Sequence, residues 1–173
     1  MDHMENGIRG DTSSNTEPAN PKIMASTDTS QRLRTAHALL ESYSTLSAEA
    51  ILQHLAPDFT HTVLPESIQM PVRSKDEFAV HAQRITSIFS EFQMIPQAIF
   101  EDEGRNSVVI YAKMVGELNL NLGHWENECI IMLKMSEDGT KVVEHKEFVD
   151  SAKAKLLQEK IGAAMKGGNV LKD

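Results

Sequence analysis

Glu128 stands directly before an unbroken apolar run, Cys129-Ile130-Ile131-Met132-Leu133, in a stretch that opens with His124-Trp125-Glu126-Asn127. A carboxyl lodged against apolar neighbours has its charged form disfavoured. Its pKa then rises toward the range in which it can take and return a proton near neutrality. Arg34 is a natural complement, because a guanidinium beside the apolar stripe of a helix can hold an oxyanion or fix a carboxylate by a two-pronged contact. His124 and His61 lie in strand-like stretches and titrate close to neutral pH, which suits a proton relay. Each has a plainer role open to it: a structural ion pair for Glu128, a solvated helix charge for Arg34, a rim or packed position for the histidines.

Around these, Met114, Met132 and Trp125 supply apolar and aromatic wall for a flat substrate, and Glu66 sits in a proline-flanked loop where a mouth residue touches ligand. His81 shares a helix face with Phe78 and Ile85 and reads as packing. His145 and Glu147 alternate along the last strand and read as structural or solvated. A hairpin that sets Met114 opposite Glu128 would put Ile110, Ala112, Met114, Ile130 and Met132 on the same face as the acid. A slip of one residue would reverse that face.

The elements that must position these residues follow from periodicity. Apolar spacing predicts a helix over 29–43, with Leu33, Ala36, His37, Leu40 and Tyr43 inward. Ser47 reads as the N-cap of a short helix over 48–55, stopped by Pro57. A strand follows over 59–64. Ser74-Lys75-Asp76-Glu77 forms a capping box that opens a helix to about residue 89. Four strands come next, over 92–102, 107–118, 124–135 and 142–150, with turn chemistry in their short breaks that favours sequential antiparallel pairing. A closing helix spans 153–165, before Gly167-Gly168. Helices gathered on one face of a bent antiparallel sheet make an α+β fold with a hollow between the layers.

Residues 1–28 are polar and rich in Ser, Thr, Asn and Pro, and read as a disordered tail; 29–166 form one domain, and 167–173 a flexible C-terminus. The net charge of −8, from 25 acidic against 17 basic residues, speaks against a nucleic-acid or anionic-membrane surface. No apolar run approaches the roughly 20 residues that span a bilayer. A single cysteine cannot close an intrachain disulfide, and a reduced, cytoplasmic setting is the simplest expectation. The seven histidines lack the spacing of a zinc motif, and neither a glycine-rich phosphate loop nor a nucleophile elbow is present. The expected chemistry uses no cofactor and no metal, and its partner is a hydrophobic small molecule.

This element order over residues 29–160 resembles the nuclear-transport-factor-2-like superfamily, and within it the fungal SnoaL-like proteins. The local carriers are Leu64-Pro65-Glu66-Ser67, the stretch from Phe78 to Phe92, Trp125-Glu126-Asn127-Glu128, and Glu147-Phe148-Val149-Asp150-Ser151. The resemblance implies an NTF2-like cone, a bent antiparallel sheet packed on about three helices with a C-terminal helix. It implies an isomerase or cyclase acting on a polyketide, meroterpenoid or indole-alkaloid intermediate, including a semipinacol-type shift, and a homodimer through the sheet. An Arg on the first helix and a Glu on this strand form the working pair of such isomerases, which points to Arg34 and Glu128. Some relatives carry tyrosine hydroxyls on the neighbouring strand. Here that row reads Val108, Ile110, Ala112 and Met114, with Tyr111 on the opposite face. A non-catalytic binding or adaptor module of the same fold is the competing reading.

Overall fold

The computed structural model describes residues 29–167. The expected tail over 1–28 lies outside them, as do residues 168–173. The elements run α1 (Gln31–Tyr43), α2 (Ala48–Leu52), β1 (Leu55–Leu64), β2 (Arg73–Ser74), α3 (Lys75–Ser87), β3 (Phe89–Asp102), β4 (Ser107–Leu118), β5 (Gly123–Met135), β6 (Val142–Val149) and α4 (Ser151–Gly167).

Helix starts follow local capping. The Ser30 hydroxyl accepts from Leu33 N, and that of Ser47 from Ala50 N. The capping box at Ser74 and Glu77 closes in both directions. Two expectations need correction. The second helix stops at Leu52 and β1 already begins at Leu55, because Pro57 forces the residue before it into extended backbone. The buried stripe of α1 is Thr35, Ala36, Leu39, Leu40 and Ser42, with His37 exposed. The Thr35 hydroxyl donates to the Gly139 carbonyl at 2.7 Å, which fixes that rotation.

The six strands form one sheet in the order β2-β1-β6-β5-β4-β3. The run β3 to β6 is the expected antiparallel ladder. The sheet as a whole is mixed, because β1 lies parallel to β6. That pairing joins strands separated by α3 and four other strands, so no turn signal announces it. The two-residue edge strand β2, also unexpected, pairs with β1. Register shifts at Phe89/Glu91 and Pro96/Ala98 bend the outer edge, where Pro96 leaves an edge position without a donor.

The inner face carries Val108, Ile110, Ala112 and Met114 from β4 and Cys129, Ile131, Leu133 and Met135 from β5, all buried. Ala36, Leu39 and Leu40 of α1 and Phe78 and Ala82 of α3 belong to the same core. Among the described residues no helix is long and apolar enough to cross a membrane.

Candidate active site

The parallel register of β1 and β6 sets His61 opposite His145 and Val63 opposite Glu147. Side chains alternate across a strand, so all four share the inner face. Both histidines are only 1% exposed. His61 Nε2 lies 3.5 Å from Glu147 Oε1. Arg73 on β2 is the cross-strand neighbour of His61, and its Nη1 stands 3.4 Å from His61 Nδ1. Helix α3 lays Phe78 and His81 on the same imidazole, with ring centroids at 4.8 and 5.8 Å. The His145 ring meets His61 edge-on at 5.1 Å.

Arg73 can only donate, so His61 Nδ1 must accept from it, and Nε2 carries the proton and faces the carboxylate. Burial works to raise the pKa of Glu147. The hydrogen bond and charge of His61, with contributions from His145 and His81, outweigh burial and hold the carboxyl below its usual range. Burial pulls both His81 and His145 down to about 4. Among the described residues neither nitrogen of His145 has a hydrogen-bond partner. The arrangement is an ionised carboxylate behind an imidazole whose other nitrogen touches a guanidinium.

The rest of the interior is mostly apolar or aromatic, with Thr35, Ser42 and Asn127 also buried. Trp125 packs on Phe89 and Phe92 with centroids at 5.5 and 6.5 Å, and Tyr43 approaches Phe92 at 6.2 Å. Among the described residues the Trp125 Nε1 donor has no partner. Burial, then Glu147, raises the Tyr43 phenol above its ordinary value. Burial, then Glu147, pushes the Cys129 thiol to about 12, so it is no nucleophile near neutrality.

The expected pair of Glu128 and Arg34 is not formed. The turn closes on Leu118 and Gly123, which sets Met114 opposite Asn127 and Lys113 opposite Glu128. This is one residue away from the expected register, so Asn127 faces inward and Glu128 outward. Leu120 and Asn121 take left-handed backbone in that turn and set its length. Glu128 is exposed and accepts from the Tyr111 hydroxyl at 2.9 Å. Arg34 is exposed and donates to the Thr29 carbonyl and, at 2.9 Å, to Gln31. His124 is on the outer face too, half exposed, with Nδ1 2.8 Å from Glu117. Met132 follows the same outward parity as Glu128. Glu66 is exposed in a 3-10 turn (Glu66–Ile68) after the cis Leu64–Pro65 bond. Met114, Trp125 and His61 do belong to the interior.

Glu147, His145 and Arg73 were not expected to carry chemistry. The alternation of His145 and Glu147 was visible, but their inward direction depends on pairing with β1. Two open depressions, one of about 340 Å³ over β3 and β4 beside Ser44 and one of about 310 Å³ between α1 and β3, contain none of these residues. The first is lined by Phe92, Gly116 and His124 among others.

No protein-family model matches the chain. It is 30% identical over 141 residues to "Austinoid biosynthesis clusters protein H" of Penicillium brasilianum, covering 79% of this chain and 95% of the relative. It is 30% identical over 125 residues to "Monooxygenase AgnL5" of Paecilomyces divaricatus, covering 72% and 74%. Among solved structures, BvnE pinacolase from Penicillium brevicompactum superposes with a TM-score of 0.72 at 21% identity, covering 77% and 92%. That likeness supports the fold.

Proposed function

This chain belongs to the NTF2-like fungal biosynthetic proteins that include austinoid biosynthesis clusters protein H, and on that premise we propose that it is a tailoring isomerase or cyclase. Its substrate is a hydrophobic natural-product intermediate (a polyketide, meroterpenoid or indole alkaloid), and its chemistry is acid–base without a cofactor. The carrying observation is the inward-facing line of Glu147, His61 and Arg73.

In this reading His61 Nδ1 takes a proton from a hydroxyl or an acidic carbon. Glu147 stabilises the imidazolium that forms, which is the role of the carboxylate in any carboxylate–histidine dyad. The oxygen that gains charge on the substrate replaces Nδ1 as the acceptor from Arg73, so the guanidinium becomes the oxyanion partner. The proton then returns to a different atom, which completes an isomerisation, an aldol-type closure or a semipinacol-type shift. The loop over 65–72 beside β2 exposes Glu66, Pro71 and Val72. The roles expected of Glu128 and Arg34 pass to His61, Glu147 and Arg73.

Outward-facing Ile130 and Phe148 pair across β5 and β6 and are 45% and 48% exposed. They support a homodimer through the outer face of the sheet.

Gene deletion tests the assignment. The host should accumulate an unrearranged precursor that the purified protein converts, and Glu147→Gln should not restore conversion. The name of the relative AgnL5 favours a second reading, oxygenation. Anaerobic turnover separates the two: conversion without dioxygen upholds isomerisation, and a strict requirement for dioxygen replaces it.

A further inference from the structure

We propose that His61, His145 and Glu147 also form a binding site for a divalent transition metal of the zinc class, and that occupancy arrests the chemistry above. The site stands on its own geometry; only the arrest rests on the acid–base reading.

One ligand atom from each of the three side chains lies within 4.8 Å of the other two. Two imidazoles and one carboxylate are a donor set that zinc, iron or nickel accepts, and three protein ligands leave positions open. The ligands stand on two paired strands, with His61 directly opposite His145, so the backbone fixes their spacing. His145 supplies an independent sign. It is 1% exposed, and neither of its nitrogens has a partner among the described residues. A buried polar atom left unsatisfied is costly, and a bond to a metal on one nitrogen removes part of that cost.

Arg73 opposes occupancy and makes the proposal specific. A metal on His61 Nε2 leaves the proton on Nδ1, where it meets the Arg73 N–H, donor against donor. The guanidinium must therefore withdraw, and its positive charge weakens the site further. Binding is reversible, and removing Arg73 should strengthen it. A bound ion takes His61 Nε2 and the Glu147 carboxylate together. The dyad is broken, and Nδ1, now protonated, can no longer accept a proton.

The test uses the tag-free full-length chain, stripped with chelator and titrated with Zn2+ at pH 7 against a chromophoric competitor. One ion should bind per chain. His145→Gln and Glu147→Gln should each weaken binding about tenfold or more. His37→Gln, at an exposed position, should leave the affinity unchanged. Arg73→Gln should tighten binding, a gain that misfolding cannot imitate. Equal affinity in wild type and His145→Gln overturns the site, as does weaker binding in Arg73→Gln. No stoichiometric binding also overturns it, while leaving the acid–base reading to its own test. Stoichiometric binding with undiminished turnover overturns the arrest.

Discussion

His61 Nε2 lies 3.5 Å from a Glu147 carboxylate oxygen, while its other nitrogen receives Arg73. The two contacts fix the tautomer and leave Glu147 one task, to hold charge as His61 gains it. Glu147→Gln keeps the volume and an acceptor but not the charge. Turnover of the accumulated precursor should fall about 10²-fold or more with little change in KM. Rates near wild type would remove Glu147 from the mechanism.

Glu128→Gln gives the contrasting result. The side chain is exposed on the outer face and bonded to the Tyr111 hydroxyl. Stability should change by no more than about 0.5 kcal/mol and turnover should be unaltered. A large loss of turnover in that variant would restore Glu128 and the outer face to the reaction.

Gly116 carries a packing constraint. A Cβ built there lies 2.7 Å from Phe89 Cδ1 and 2.7 Å from the Glu91 carbonyl oxygen. Gly116→Ala should destabilise the fold by about 1–3 kcal/mol, read as a lower urea midpoint. Phe89→Leu on that background should recover only part of the loss, because the contact with the backbone oxygen remains.

Acid should unfold the protein in a defined window. His145 is fully enclosed, and its folded pKa of about 4 lies below the unfolded value near 6.5. Between those values the unfolded chain binds more protons, so stability falls as pH falls, by about 1.4 kcal/mol per unit for that residue. Glu147 acts in the same direction at lower pH. Its folded pKa is depressed, so its contribution is present above the unfolded carboxylate range and lost below it. Urea midpoints measured from pH 7 to pH 4 check the slope.

His145→Leu should flatten that slope. By removing two unpartnered nitrogens it should also raise stability at pH 7 by about 1–3 kcal/mol. An unchanged slope would locate the acid sensitivity elsewhere.

The legible parts of the molecule were those written locally. The capping box at Ser74 and Glu77 needs only four consecutive residues, and the inward row of β4 follows from its own alternation. The β4–β5 register depended on a turn in which Leu120 and Asn121, neither a glycine, take left-handed backbone. One residue of error there moved Glu128 to the wrong face and hid Asn127 and Cys129 from view. The site was less legible still. His61 was a candidate by residue type, but its partners come from a parallel strand and a two-residue edge strand that no turn announces. His145 and Glu147 showed their alternation; what they faced was a property of topology.

The parallel seam between β1 and β6 also sets an order of assembly. Strands β3 to β6 form successive hairpins whose contacts are local and can close early. His61 belongs to the first half of the domain, yet its partner strand β6 is the last of the six in chain order. A chain still emerging from the ribosome can hold its aromatic core before it holds any of the dyad, because loop closure over most of the domain must come first. The N-terminal strand therefore docks late, and activity should appear after the ladder has formed, as the final event of folding.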